Sequence, residues 1–429
     1  MTKAQFYRYS SVTILFCMFL TPTISIPGFI GIRFEELFIV PWLALSFLFR
    51  PSLRMLIPFR AFFFLLFSIL LITSISVGSI MQLPASLLDL VKLIWIVKIF
   101  FIYSILYNFI HSDSDYYQRL IYILRIFVIF GFVSALICIQ QYFDILSLNR
   151  YYVPIIAPTQ FNTLMPGYSS PRVVGIIGNP NAQGLVMAFT LITLTYLILE
   201  KRIKYGSVLF VVLFSALIMT LSRSAFIVWG CGTVCLILLF RGGWKLTIYK
   251  YVLLASVIAI IGVMFVFLRD NKVIYNLILF RFELLANGLE EGSFSARFNQ
   301  WMLNIRYFLE SPIFGVGPLP RAGIFHFADN EWLVLLRSYG LVGTGWLVMT
   351  LTLPLLLFRP AHKWGKNLKS FNLSILLCAF MYMVPAAVLT GINTVSFLIV
   401  LLACIDQNHS AIVWSKSSRS RTNPALSES

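Results

Sequence analysis

Long apolar stretches are the feature of this sequence that most restricts its fold. Each runs for about 15 to 25 residues, the length that an α-helix needs to cross the hydrocarbon core of a bilayer. The chain of 429 residues is 59% hydrophobic and only 11% charged, so a water-soluble domain would expose most of that apolar surface. The alternating pattern of a membrane β-barrel is absent. The sequence therefore predicts an all-α, polytopic integral membrane protein.

About twelve transmembrane helices are predicted, and the whole chain, residues 1–429, is predicted to form a single polytopic membrane domain. The first is weak because Pro22 and Pro27 interrupt it. It leads into PTISIPGF and not into a small-residue cleavage site, so we expect no cleavable signal. The predicted spans are residues 10–27, 35–50, 58–78, 88–110, 119–142, 182–199, 206–221, 224–241, 250–268, 330–358, 371–390 and 392–406.

Basic segments between the apolar stretches predict the orientation of the chain. Lys and Arg collect on the cytoplasmic side of membrane proteins, which predicts that both termini, including a basic tail at about 407–429, are cytoplasmic. Two long connections, about residues 144–181 and 269–329, then lie on the outer side, where we expect the functional site. The cytoplasmic segments are RPSLR (50–54), KRIKYG (201–206), RGGWK (241–245), RPAHKWGKNLK (359–369) and KSSRSRT (416–422).

This distribution of the net charge of +17 argues against nucleic acid as a partner, because no basic patch interleaved with aromatics is present. All six cysteines fall in apolar stretches and are interpreted as small buried fillers. No His/Asp/Glu spacing resembles a metal site, and no phosphate-binding or dinucleotide-binding glycine loop occurs, so we expect no cofactor and no metal.

The segment LSRSAF places Arg223 between two apolar helices on the outer side. A charged residue there is costly and indicates a functional site, since the positive-inside rule disfavours it. Ser222 and Ser224 flank it with hydroxyl donors suited to a phosphate oxygen. The alternative is that Arg223 extends to lipid headgroups.

The outer segment 292–317 carries Arg297, Trp301 and Arg306 at near-helical spacing, with Arg297 and Trp301 on one face. This helix could present a guanidinium to an anion and an indole to a sugar or lipid. An interfacial helix with Trp at the headgroup level explains the same pattern.

The segment PRVVGIIGNPNAQG begins with Arg172, and Asn179 and Asn181 flank a proline in a turn that caps the sixth span. Capping explains the asparagines but not the arginine. Arg172, Arg223 and Arg297 can therefore converge on the outer face, where arginine clusters bind phosphate or diphosphate bidentately. A lipid-linked diphosphate is the ligand this suggests.

The segment HFADNEWLVLLRSYGLVG opens the tenth span with Asp329, Asn330 and Glu331. Asp329 is expected to cap the helix, with Asn330 as the alternative cap, and Glu331 to complement the helix dipole. Arg337 lies inside the same apolar helix, where it must find a partner. His326, in the preceding loop, could act as a base but is more simply an ordinary loop histidine.

Taken in order along residues 172–343, these motifs resemble the O-antigen polymerase and O-antigen ligase superfamily of bacterial inner membranes. RVVGIIGNPNAQG, LSRSAF, SARFNQW and SPIFGVG each resemble one of its short motifs, and IRFEELFI (32–39) is similar to the start of its second span. Asn330, Gly340 and Gly343 match its His-Asn motif followed by Gly-x-x-Gly. Asp329 stands where ligases of the family have a histidine implicated as catalytic base, and polymerases often carry Asp there.

The resemblance implies a GT-C-like, multi-span, metal-independent and inverting glycosyltransferase at the outer face of the inner membrane. Its substrate would be an undecaprenyl-diphosphate-linked oligosaccharide, and a chain-length regulator and membrane lipids are expected partners. Asp329, Arg223 and Arg297 would be catalytic. Residues expected to bind substrate are Arg172, Asn181, Ser222, Trp301, Arg306, Asn330 and Arg337.

Three alternatives stay open from the sequence. A ligase would transfer finished glycan to lipid A-core or another acceptor. A flippase or other transporter would also have about twelve spans, and Lys92 and Lys98 in the fourth span favour it. A lipid-binding scaffold without catalysis is the third.

Overall fold

The computed structural model describes residues 2–24, 32–38, 41, 58–81, 87–111, 115–164, 171–242, 255, 292–318, 330–358, 363–391, 394–404 and 406. Over these residues the architecture is helical, which confirms the all-α prediction. A two-residue antiparallel pair, β1 (Thr23–Ile24) with β2 (Ile32–Arg33), joins the end of the first helix to the helical residues 34–38. The helices are α1 (Lys3–Leu20), α2 (Phe59–Ile80), α3 (Leu87–Ile110), α4 (Tyr116–Phe143), α5 (Asn149–Ile156), α6 (Pro180–Leu199), α7 (Gly206–Met219), α8 (Arg223–Leu239), α9 (Gly292–Glu310), α10 (Glu331–Leu357), α11 (Lys363–Tyr382) and α12 (Val395–Ala403).

Five of the described helices contain segments that are long and apolar enough to cross a membrane, as expected of a membrane protein. Two shorter apolar helices, α7 and α8, pack on α6, which is buried almost along its whole length. The number of twelve spans stays a prediction, since most of 250–268 and most of 35–50 lie outside the described residues. The five segments are Phe59–Ile80, Lys92–Ile110, Tyr116–Phe143, Pro180–Leu199 and Glu331–Leu357.

Contacts between helix termini define two ends of the bundle. At one, the basic end, Asn367 binds the Glu200 carboxylate at 2.8 Å and accepts from the Arg241 backbone N–H at 2.8 Å. At the other, the site end, the Arg172 side chain donates to the Thr220 carbonyl. Asn367, Arg241 and Glu200 lie in or directly beside three of the basic segments, so the described parts of these segments are on one end of the bundle, as the predicted orientation requires. Which end is cytoplasmic stays a prediction.

Two helices have bounds that differ from the predictions. The first helix begins at Lys3, seven residues before the predicted span, because Thr2 and Gln5 form a capping box at its start. The span predicted at 371–390 corresponds to α11, which begins at Lys363 and ends at Tyr382. The chain leaves the helix after Tyr382 because Pro385 follows and disfavours a helix at the residue before it. Further on, the backbone N–H groups of 388–390 bind the carboxylate of Glu331.

A break at Gly340 divides α10 into two parts. Gly340 has φ +63° and ψ −167°, a backbone conformation essentially restricted to glycine. The loop 311–318 lies along this break and replaces the missing helical hydrogen bonds. Val316 and Gly317 donate to the carbonyls of Arg337 and Ser338 (2.9 and 3.1 Å), and the N–H groups of 341 and 342 donate back to the loop. Irregular backbone inside a membrane protein is tolerated when the protein itself satisfies its polar groups.

The six cysteines are all free. Four are buried, as predicted for small fillers, but Cys231 is exposed on α8 and Cys235 is partly exposed, so the prediction is wrong for these two.

Candidate functional site

Arg172 is held at the site end by two hydrogen bonds. Its Nε donates to the Thr220 carbonyl at 3.0 Å, and its Nη2 donates to Oδ1 of Asn181 at 2.6 Å. Asn179 caps α6 through the N–H groups of 181 and 182, which confirms the predicted Asn-Pro-Asn cap. Only the backbone of Asn181 takes part in this cap, so its side chain is available to accept from Arg172. The structure thus brings together Arg172 and Asn181, which the sequence had indicated separately.

The turn between α7 and α8 carries the second arginine. Leu221 adopts a left-handed backbone (φ +50°), which turns the chain tightly into Ser222 at the N-cap of α8. Ser222 is buried, its hydroxyl makes no capping bond, and it lies 3.4 Å from the Ser224 hydroxyl. Arg223, the first residue of α8, is exposed. Arg172 therefore binds the turn only three residues before Arg223, beside the positive end of a helix.

Close packing on α6 fixes this turn. A Cβ added to Gly184 would lie 2.9 Å from both the Ser222 and the Ala225 side chains, so only a glycine lets the two helices approach this closely. The start of α8 is thus pressed against α6 one turn after Asn181.

Tyr382, which sequence reasoning missed, joins the two halves of the site. Its hydroxyl donates to the Asn181 carbonyl at 2.6 Å and interacts with the hydroxyls of Ser222 and Ser224. The following residue, Met383, accepts from the Glu331 backbone N–H at 2.8 Å. The only sequence signal was a tyrosine at the end of an apolar helix, which is too common to indicate a site.

The start of α10 differs from its prediction. Asn330, the alternative cap, accepts from the Leu333 N–H at 3.3 Å, and the helix begins at Glu331. The prediction that Asp329 caps the helix is therefore wrong, because the capping position is one residue later. Asp329 and His326 lie outside the described residues.

Glu331 does more than complement the helix dipole. Its carboxylate is buried and accepts from the backbone N–H groups of Val388, Leu389 and Thr390, the first at 2.6 Å. It therefore ties the start of α10 to the segment that follows Tyr382.

Arg337 is buried and donates to the Pro318 carbonyl and the Ser338 hydroxyl, both at 3.2 Å. Its partners thus include the loop that covers the break in α10. Glu331, Arg337 and Lys92 are electrostatic neighbours, and buried Asp89 also lies within electrostatic range of Tyr339 beside them. Opposite charges at this depth offset the cost of burying each one.

Lys98 lies in a second charge-balanced cluster. Its Nζ is 2.7 Å from the Glu36 carboxylate and 3.2 Å from that of Glu35, and Glu35 also pairs with Arg33 at 2.8 Å. The sequence showed these residues but not that they meet, because α3 and residues 33–36 are far apart in the chain. Lys98 is therefore paired within the protein, and Lys92 has the Glu331 carboxylate as an electrostatic neighbour.

The residues of α9 are less closely tied to this site. The helix packs against α10, as the amphipathic pattern requires, and Trp301 is half-buried. Arg306 is 78% exposed and lies 3.7 Å from Glu310, four residues later. The side chain of Arg297 lies outside the described part of the structure. Within that part, no three His, Cys, Asp or Glu side chains are grouped to hold a metal ion.

The fold and this arginine-rich, hydroxyl-lined helix end define a helical membrane protein with a candidate anion site at one end of its bundle. Residues 208–348, about a third of the chain, match the family described as O-antigen ligase. The matched range contains Ser222, Arg223 and the whole of α9, and it ends within α10. The match confirms the predicted resemblance to the O-antigen polymerase and ligase superfamily and, with the apolar helices, supports a bacterial membrane protein. A search of the curated proteins gave no match.

Proposed function

We propose that this protein is a polysaccharide polymerase of the bacterial inner membrane. It transfers a growing glycan from undecaprenyl diphosphate onto an incoming lipid-linked repeat unit at the outer face. The observation that carries the proposal is the position of Arg172, which Asn181 and Thr220 hold against the turn that presents Ser222 and Arg223. Two guanidinium groups and a helix N-terminus suit a diphosphate.

In the proposed reaction, a hydroxyl oxygen of the acceptor sugar attacks the anomeric carbon of the donor glycan. The bond between that carbon and the diphosphate oxygen breaks, and the electron pair leaves with the diphosphate. Arg172 and Arg223, with Arg297 from α9, stabilise the developing negative charge, as preorganised donors do in other enzymes. The hydroxyl proton passes to Asp329, the candidate general base. A single displacement of this kind inverts the anomeric configuration.

The remaining predicted residues have supporting roles. Ser222 offers a hydroxyl to a phosphate oxygen, and Trp301 and Arg306 on α9 would contact the sugar or the lipid. Asn330 caps α10 directly after the proposed base, and Arg337 holds the loop 311–318. Arg337 therefore acts by positioning and not by contact with substrate.

Complementation of a deletion strain tests the proposal. We expect Arg172→Ala and Arg223→Ala each to lower the amount of long-chain glycan about 100-fold or more, the effect of removing one charge-stabilising donor. Arg8→Ala is the matched control, since Arg8 is an exposed arginine at the basic end that donates to the Tyr122 hydroxyl. Polymer near the wild-type amount in both site variants, at equal protein level, would overturn the diphosphate role.

A ligase is the second candidate, favoured by the description of the matched family. The surface glycan of the deletion strain separates the two. Single repeat units on the final acceptor identify a polymerase, and an undecorated acceptor identifies a ligase.

A further inference from the structure

The residues from Tyr142 to Ile155 expose an unusual amount of apolar surface at the site end. Leu146 is 82% exposed, Ile155 69%, Phe143 63% and Tyr151 61%. Ile145, Leu148 and Tyr142 are exposed to a smaller degree. The sequence places this segment at the start of a long polar connection, but the structure shows a compact unit of one helical turn followed by α5.

The backbone is built to point Leu146 away from the protein. Asp144, Leu146 and Ser147 have φ values of +45°, +59° and +53°, a left-handed conformation that non-glycine residues rarely adopt. Hydrogen bonds hold it in place. The Asn149 N–H donates to the Asp144 carboxylate at 3.0 Å, and the Asn149 amide donates to the Gln141 carbonyl at 2.7 Å. In water this turn would carry two costs, the left-handed backbone and the exposure of an apolar leucine side chain. In hydrocarbon the exposure of the leucine is favourable instead.

The short helix α5 also exposes apolar side chains on its outer face. Asn149 and Val153 face the protein and are fully buried, while Tyr151 and Ile155, one turn apart, form an apolar outer face. Arg150 stacks over the Tyr151 ring at 4.7 Å and donates to its hydroxyl at 2.7 Å. A cation beside an aromatic ring above apolar side chains is typical of the headgroup level of a bilayer.

This surface continues that of a candidate membrane span. The preceding helix, α4, exposes Ile129 and Leu136 along its length and ends at Phe143, inside the segment. The exposed apolar side chains of α4, which are spaced seven residues apart at Ile129, Leu136 and Phe143, therefore continue into those of the turn and of α5.

We infer that Tyr142–Ile155 is a membrane-interface ledge, whose apolar side chains enter the leaflet at the site end while Arg150 contacts headgroup phosphates. The ledge is joined rigidly to the candidate site. The Gln141 side chain accepts from the N–H groups of Val174 and Gly175 (3.1 and 2.8 Å) and donates to the Gly175 carbonyl. The ledge thus sets the height of the segment that carries Arg172 relative to the lipid phosphates, whatever reaction the site performs.

Spin-label accessibility on the full chain in phosphatidylglycerol–phosphatidylcholine nanodiscs tests this. Leu146→Cys and Ile155→Cys are each labelled in a Cys231→Ser, Cys235→Ser background, because the other four cysteines are buried. Lys204→Cys, in an exposed polar loop at the basic end, is the matched control. Collision of each label with oxygen, which partitions into lipid, is compared with collision with a water-soluble nickel chelate.

We expect both ledge labels to have an oxygen-to-nickel collision ratio severalfold higher than the control label. Ready access of nickel to both would place the segment in water and overturn the inference. Protection from both reagents would also overturn it, because the surface would then be covered by protein, such as a second copy of this chain. Two exposed positions are used so that a folding defect of one variant still leaves a measurement.

Discussion

Arg172 and Asn181 are joined by a hydrogen bond of 2.6 Å, from Nη2 of the guanidinium to the side-chain oxygen of the amide. The two residues lie on either side of the turn that starts α6, so this bond closes the turn and aims the arginine at the α7–α8 turn. Hydrogen bonds that involve a charged group are worth about 1.5–3 kcal/mol. Asn181 is therefore a positioning residue for the proposed diphosphate site.

Asn181→Ala should lower polymer formation by roughly 10- to 100-fold, the rate equivalent of losing that bond. Glycan length on gels, normalised to protein level in the membrane, measures the effect. The control is Asn179→Ser, which keeps a side-chain oxygen at the cap of α6 and should stay near wild type. Equal loss in both variants would mean that only the helix start matters.

Glu331→Ala should strongly destabilise the protein, because it leaves two buried and one partly buried N–H group and the neighbouring Lys92 without their carboxylate. Breaking a buried ionic network costs about 3–5 kcal/mol. The apparent melting temperature in detergent measures this. Glu310→Ala, which removes only the exposed pair with Arg306, should change stability by about 1 kcal/mol or less. Similar melting temperatures for the two variants would contradict the role given to Glu331.

Gly340→Ala should abolish stable folding. The residue needs a backbone conformation restricted to glycine, and a Cβ there would overlap the Ile313 carbonyl in the covering loop. Gly345→Ala, five residues later on the same helix, has no heavy atom within 4 Å of the added Cβ. It should be neutral or stabilising by up to about 1 kcal/mol. Protein levels in the membrane distinguish the two, and normal accumulation of Gly340→Ala would refute the broken-helix geometry.

Arg60 and Pro354 should be energetically coupled. Proline lacks the N–H that would bond the Thr350 carbonyl, and Arg60 Nε donates to that carbonyl at 3.1 Å instead. Arg60→Leu should therefore lower the melting temperature, and adding Pro354→Ala should restore part of the loss by returning the helical hydrogen bond. A double-mutant cycle should give a coupling of about 0.5–3 kcal/mol. Strict additivity would show that the arginine does not replace the proline's missing bond.

His111 should make stability depend on pH. It follows α3, its Nδ1 lies 2.9 Å from the Tyr107 carbonyl, and burial lowers its pKa from 6.5 to about 4. Above pH 6.5 both folded and unfolded states hold a neutral ring, so stability is unaffected. Between these values only the unfolded state binds the proton, so stability falls as pH falls, by up to about 1.4 kcal/mol per pH unit. Melting temperatures of wild type should thus drop from pH 7.5 to pH 5 more than those of His111→Gln, and parallel curves would refute this.

Much of the helical framework follows from the sequence because hydrophobic length is a local property. The helices over 58–78, 88–110, 119–142 and 182–199 appear within a few residues of their predicted bounds. The turn before α6 was also predicted from local sequence, because Asn179 caps the helix as expected. The end of α11 was predicted eight residues too late, although Pro385 inside the predicted span is a local signal against helix. What the sequence did not show is that the Val388 N–H group beyond this proline binds the carboxylate of Glu331, 57 residues earlier in the chain.

The candidate site likewise combines features that the sequence shows with contacts that only the tertiary structure shows. The sequence determined which residue types stand at the site end, including Arg172, Asn181, Ser222 and Arg223, since charges and amides among apolar segments are conspicuous. Only the tertiary structure decided what they touch. Tyr382 contacts Asn181, Arg337 binds the loop 311–318, and Lys98 pairs with Glu35 and Glu36. These contacts depend on helix packing between residues that are distant in the chain. Hydrophobic periodicity fixes where a helix lies along the chain, but burying a charge requires a partner, and the partner is chosen by the fold.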